Sequence, residues 1–276
     1  MPELYRANPK DGVAWITGAS TGIGRALALR LAAEGYTVAV TARDEERLSS
    51  LVEEGSRTTG NIISFPCDVT DQEQMARTVA EIERTAGKIA LAVFNAGCYF
   101  PTRGDRLDAL NILNTFDINL FGTVYGLVPV VDFMRARGRG HIVFIGSASS
   151  YFGWPSAAAY SASKAALATM AEALKYDFDK MNIRLQVLNP GFIDTPLTEK
   201  YSFYMPGLMS MDDASARMAR SLRTGGFETS FPRRFTLMLK LLNILPFSVR
   251  YRLVRKLTGW EKRPLARARK PRWWQT

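Results

Sequence analysis

The chain has 276 residues, 47% hydrophobic and 22% charged, a globular balance that excludes disordered and fibrous classes. Two cysteines, Cys67 and Cys98, are too few for a disulfide framework or a cysteine-rich metal site. The single histidine, His141, excludes a His-clustered zinc site and argues against a Ser-His-Asp hydrolase, so no metal is expected. The net charge of +10 is uneven: residues 231–276 hold 13 Lys/Arg and one acid, Glu261, while residues 1–230 hold 23 bases and 25 acids. A basic end on a near-neutral body fits an anionic surface.

No signal peptide is expected, because Glu3, Arg6, Lys10 and Asp11 interrupt the start. No membrane span is expected either, since the longest uncharged stretch, 141–163, carries six serines and Pro155. Short apolar, β-branched-rich runs recur at 13–17, 37–41, 61–66, 89–95, 141–146 and 184–189. Longer segments with helical spacing separate them; in 25–34, Ala26, Leu27, Leu31 and Ala32 fall near one face. Repeated strand–helix–strand units predict an α/β fold, a doubly wound parallel sheet with helices on both faces. Composition breaks near Gly225-Gly226, beyond which the chain is rich in Arg, Leu and Trp.

The first strand runs into Thr17-Gly18-Ala19-Ser20-Thr21-Gly22-Ile23-Gly24 and then a helix. Glycines allow a sharp turn and bring backbone N–H groups near a pyrophosphate, and the helix N-terminus adds partial positive charge. The second strand ends at Arg43-Asp44, about 20 residues past the glycine loop, where a reader of the ribose 2′ position belongs. The planar fork of Arg43 suits a 2′-phosphate. A solvated strand-end arginine is the alternative, and Asp44 keeps NAD(H) open.

Tyr160 and Lys164 open a helical run and share one helix face. An ammonium close to a phenol favours the phenolate, which would make Tyr160 an acid/base near neutral pH. Ser147 ends the 141–146 strand, 13 residues before Tyr160, where ligands bind in open α/β sheets. Ser149 and Ser150 compete with it for that assignment. His141 reads as a cap at the strand entry, and Cys98 as a small buried hydrophobe.

Thr17-Gly-X3-Gly-X-Gly, Asn95-Ala96-Gly97, Asn119, Ser147, Tyr160-X3-Lys164 and Pro190-Gly191 occur in one order, and with them the chain resembles the short-chain dehydrogenases/reductases over roughly residues 10–200. The resemblance implies a Rossmann-type αβα fold and a nicotinamide cofactor, NADP(H) preferred with NAD(H) open. It implies Tyr160 as proton donor or acceptor and Ser147 as the group that orients the substrate oxygen. It makes Lys164 the ribose ligand that depresses the tyrosine pKa, and Asn119 the holder of a relay water. Gly18, Ser20, Thr21, Gly22, Ile23 and Gly24 would take the pyrophosphate. Asp68 and Val69 would meet the adenine and Arg43 the 2′-phosphate. Asn95, Ala96 and Gly97 would line the adenine-ribose side, and Pro190, Gly191, Ile193 and Thr195 would cover the nicotinamide.

Residues 195–225 read as a substrate lid, apolar through Tyr201, Phe203, Tyr204, Met205, Leu208, Met209 and Met211, with a helix start at Ser210. Tyr151, Phe152 and Trp154 would flank the pocket, and no Arg or Lys cluster is expected to face it. A hydrophobic, lipid-like carbonyl or alcohol is therefore the expected substrate. Beyond residues 1–230, the catalytic domain, segment 235–245 reads as an apolar helix with Thr236, Lys240 and Asn243 as a narrow polar stripe. After Pro246, Ser248 would cap a second helix ending at Thr258-Gly259. Such helices, followed by Trp273-Trp274 among arginines, suit an anionic membrane interface, and a pocket cap or a dimer contact is the rival. A homo-oligomer, dimer or tetramer, is expected, with no nucleic acid partner and a cytoplasmic location peripheral to the inner face of a membrane. A non-catalytic NADP-binding sensor or scaffold at membranes is the alternative function, against which the intact Tyr160, Lys164, Ser147 and Asn119 set argues.

Overall fold

Seven short runs of β-branched and apolar residues form β1 (Val13–Thr17), β2 (Thr37–Thr41), β3 (Asn61–Ser64), β4 (Ile89–Phe94), β5 (Gly140–Ile145), β6 (Ile183–Pro190) and β7 (Glu228–Phe231). The computed structural model describes residues 3–196, 198 and 205–266. The strands make one parallel sheet in the order β3-β2-β1-β4-β5-β6-β7. β1, β4 and β5 are buried at every position, as strands covered on both faces must be. Residues of α1 (Gly22–Ala33), α2 (Glu45–Gly55) and α7 (Met211–Thr224) pack on one face. Those of α3 (Gln72–Thr85), α5 (Gly122–Ala136) and α6 (Ala158–Lys180) pack on the other, with α4 (Ala109–Phe116) against α6. This is the expected doubly wound αβα architecture. Asp44, Asp71, Asp108 and Ser210 each accept a backbone N–H at a helix start, a contact worth about 0.5–2 kcal/mol.

Four details differ from the sequence expectation. β7 was not foreseen: Glu228-Thr229-Ser230-Phe231 is an edge strand in which only Phe231 is fully buried, so it lacks an apolar run. The sheet thus continues past the composition break at Gly225-Gly226. His141 does not cap a strand; it is buried within β5, with Nε2 2.9 Å from Gln186 Oε1. Ser248 does not cap the last helix, which begins at Phe247 with Pro246 in the cap position and no side-chain cap bond. Finally, Ala109–Ala136 forms a rod through α4, a π-helical turn and α5, with the length and apolarity to cross a membrane. Here the rod serves as a layer helix. It buries Asn119, Thr123, Val130 and Met134, and Gly126 lies against Trp15, Met75 and Phe94.

α8 (Arg233–Ile244) and α9 (Phe247–Leu257) follow β7, and a 3-10 turn spans Trp260–Lys262. Leu239 of α8 and Val254 of α9 are buried in a small separate cluster with Ala148 and Phe152, just past the end of β5. The tail therefore packs over the strand ends at which ligands bind in such sheets.

Candidate active site

Every expected site residue except Asn119 lines one cavity of about 1160 Å3, above the ~300–1,000 Å3 common for single-ligand pockets. Its floor begins at the turn after β1. Gly18 has φ +66°, and a Cβ there would lie 2.6 Å from the Ala96 backbone. A Cβ at Gly24 would strike the Asn95 side chain and the Gly18 carbonyl. Only glycines allow so close an approach. Thr21, at the N-cap of α1, makes no side-chain cap bond, and α1 has no acid in its first turn. Its first N–H groups are therefore left for an anion.

Asn95 ties β1 to β4. Its amide donates to the Thr17 and Gly18 carbonyls at 3.0 Å each, and its backbone N–H donates to Thr17 Oγ1 at 3.0 Å. Arg43 stands at the cavity edge with Nη1 3.8 Å from Asp68 Oδ2. Thr70 donates to the other carboxylate oxygen of Asp68. Asp44 is already employed: it caps α2 through the Arg47 N–H and pairs with the Arg47 guanidinium at 3.1 Å.

At the far end, Lys164 is buried and donates to the Ile145 carbonyl at 2.7 Å, which anchors α6 to the end of β5. Its Nζ lies 6.0 Å from the Tyr160 ring centroid. Burial pushes the Lys164 ammonium down to about 8, against a smaller opposing effect of Cys98. Burial pushes Tyr160 up, and a hydrogen bond with Ser147 pulls it partly back. The direction is opposite to the expected depression by Lys164: desolvation is the largest cause and holds Tyr160 above its ordinary value. Ser147 accepts from the Ser149 N–H and hydroxyl at 3.1 and 2.9 Å, so Ser149 supports Ser147. Tyr99, unnoticed in the sequence, packs edge-on to Tyr160 at 5.5 Å between centroids.

Asn119 lies in the π-helical turn between α4 and α5, the kind of irregularity that often marks functional sites. Its Oδ1 accepts from the Cys98 N–H at 2.8 Å, and its Nδ2 donates to the Cys98 carbonyl and to Ser163 Oγ at 3.1 Å each. These bonds tie the 95–98 loop and α6 to the turn that carries Asn119. Cys98 lines the cavity rather than lying fully buried, and burial pushes its thiol up to about 11.

The substrate end departs from expectation. Among the described residues of 195–225, Thr195, Pro196, Thr198 and Pro206 line the cavity, whereas Met209 turns into the main core and Leu208 and Met211 are exposed. Tyr201, Phe203 and Tyr204 lie outside the described residues. Among the described residues, much of the apolar lining comes from the tail: Phe235, Met238, Leu239, Leu242, Val254, Leu257 and Trp260. Two cations, Lys256 and Arg263, also stand in this wall. Trp154 reaches the cavity, while Tyr151 and Phe152 pack beneath α8 and α9. Helical spacing in 235–257 was the available signal for this roof. Only contacts reveal which face looks inward.

A parallel sheet with a glycine-rich phosphate turn and a Ser–Tyr–Lys set at its carboxyl edge defines a nicotinamide-dependent oxidoreductase. The short chain dehydrogenase family model matches residues 12–203, and the chain belongs to that family. It is 34% identical over 233 residues to an uncharacterized oxidoreductase of Myxococcus xanthus, covering 84% of this chain and 92% of that one. It is 36% identical over 188 residues to a 3beta-hydroxysteroid dehydrogenase of Mediterraneibacter gnavus, covering 68% of each. The structure is similar to a short-chain dehydrogenase from Streptomyces avermitilis, with TM-score 0.75, 26% identity, and 91% and 96% of the two chains covered. The protein is thus an NAD(P)-dependent oxidoreductase.

Proposed function

We propose that the chain is an NADP(H)-dependent enzyme that interconverts a hydrophobic carbonyl compound and its alcohol. One observation carries this: the Tyr160–Ser147 pair faces a cavity whose outer wall is the apolar underside of α8 and α9. The carbonyl oxygen sits between the Tyr160 and Ser147 hydroxyls. Tyr160, kept protonated by burial, donates its proton to that oxygen, and the nearby Lys164 charge favours the tyrosinate left behind. When bound, the nicotinamide supplies the hydride. Asn119 and Asn95 hold the loop that flanks it. Val69, Pro190, Gly191, Ile193 and Thr195 complete the walls.

NADP(H) is favoured over NAD(H) because Arg43 is at the cavity edge while Asp44 is spent on capping α2. The steroid-named relative and the apolar roof support a lipid-like substrate. Residues 1–230 form the catalytic unit and 231–276 its tail, which contacts an anionic membrane surface. The exposed row of Leu110, Leu113, Phe121, Val128 and Phe133 supports self-association through the α4–α5 rod.

The test is NADPH and NADH oxidation with steroid, long-chain ketone, retinoid and sugar carbonyls. Turnover of the apolar compounds with NADPH is expected. Preference for the sugar or for NADH would overturn the assignment.

A further inference from the structure

α8 and α9 have two working faces. Leu239 and Val254 look inward to the roofed site. On the outer side of α8, Leu237, Leu241 and Ile244 recur at helical spacing and are 58%, 58% and 80% exposed. On α9, Val249 and Leu253 are exposed four residues apart, and Leu257, which also edges the cavity, is exposed beyond them. The wall between inside and outside is one side chain thick. Met238 and Leu242 line the inner cavity and also an outer apolar groove of about 560 Å3, which Arg234, Leu237, Leu241 and Ile244 help to complete.

The surroundings are basic. Glu261 is the one acid in 231–266, and it is paired with Arg255. Arg233, Arg234, Arg252, Lys256 and Lys262 are exposed and make no ion pair among the described residues. An exposed apolar face of this kind marks a contact surface. A second copy would bring like charges together, whereas an anionic leaflet complements the charge and accepts the apolar rows.

We propose that the outer face of α8 and α9 docks on an anionic bilayer, and that the Met238–Leu242 wall is a portal through which a membrane-dissolved carbonyl lipid reaches the cavity before Tyr160. The identity of the cargo rests on the oxidoreductase proposal; docking and passage do not.

The test uses the full chain, phosphatidylglycerol/phosphatidylcholine vesicles and a pyrene-labelled long-chain ketone. Arrival of the ketone is read by energy transfer from Trp154 and Trp260, which line the cavity. The wild type should co-sediment with anionic but not neutral vesicles and extract the ketone. Leu237→Asp with Leu241→Asp should weaken vesicle affinity by about tenfold or more and slow extraction in step, without changing turnover of a short, soluble ketone. Arg233→Glu with Arg252→Glu should cut binding at low salt and tests the same face without touching its apolar rows. Met238→Trp should leave vesicle binding intact and slow extraction several-fold. Absence of vesicle binding by the wild type, wild-type extraction by the aspartate pair, or light scattering that shows this face holding a dimer with no lipid bound would overturn the proposal. Failure of every carbonyl to react while vesicle binding and ketone extraction persist would sink the oxidoreductase proposal and spare the portal.

Discussion

The floor of the cavity and its roof are held by different means. On the floor, Asn95, Asn119 and Lys164 bond mainly to backbone atoms of neighbouring strands and loops. The roof hangs on side chains. Glu228 gathers the Tyr151 hydroxyl at 2.7 Å, the Asn189 amide at 2.9 Å and the Lys240 ammonium at 2.7 Å. Arg250 lies over the Phe152 ring at 5.4 Å. Backbone partners are fixed by the sheet, so groups that must hold a reacting geometry are placed accurately. Side-chain partners near the surface exchange readily with water, so a wall that admits substrate can move. The substitutions below should divide along this line, floor changes altering chemistry and roof changes altering access.

Tyr160→Phe should have the largest effect. It removes the proton donor and keeps the ring against Tyr99, so turnover should fall ~10²-fold or more while nicotinamide-fluorescence titration shows cofactor binding retained. Activity within a few-fold of wild type would place the acid elsewhere.

Arg43→Ala should raise the NADPH dissociation constant about 10- to 100-fold, the worth of one charged hydrogen-bonded contact, and leave NADH nearly unchanged. Equal losses for both cofactors would make Arg43 a bystander of the floor.

His141 gives the sheet that carries the floor a pH signature. Burial is the main cause that holds its pKa down to about 3, with Arg184 and Arg6 adding to the effect and Gln186 opposing it. The unfolded chain therefore takes up the proton first. Stability is full above about pH 6.5 and declines as pH falls below it, by ~1.4 kcal/mol per pH unit once the unfolded histidine is protonated. Denaturant melts between pH 7 and 5 should show this slope, and His141→Asn should flatten it. An unchanged slope in the variant would remove His141 as the cause.

Glu228→Gln should have the smallest effect and confine it to the roof. Burial pushes Glu228 up, but hydrogen bonds from Lys240, Tyr151 and Asn189 bring it below its usual value. Its charged contacts therefore stabilise above the ordinary carboxylate range and fade as pH falls through the lowered value. The substitution should raise KM for a long-chain carbonyl a few-fold and leave kcat for a small one unchanged. A matching loss of kcat would mean that Glu228 reaches the floor through Asn189.

Much of the floor was legible in the chain because its chemistry is local. Turns that bring backbone to a phosphate need glycines at set spacing, and two groups on one helix face need a separation of four positions. The direction of the Tyr160 shift was not legible, because desolvation depends on everything that surrounds the ring. Nor were the hydrogen-bond partners of Asn119, Cys98 and Ser163, which lie far from it in sequence. β7 escaped because an edge strand held by backbone bonds needs little apolar sequence of its own.

The alternation of the first six strands with helices, the phosphate turn and the Tyr160–Lys164 spacing were determined by sequence alone, since apolar periodicity, glycine freedom and helical pitch act over a few residues. Which segment roofs the substrate was decided only in three dimensions. Residues 195–225 and 231–266 are both rich in apolar side chains, and composition cannot choose between them. Packing places the described parts: Ser210 starts α7, whose Ala214, Met218 and Leu222 are drawn into the main core, while α8 and α9 bring Phe235, Met238, Leu239, Leu242, Val254 and Leu257 to the cavity wall.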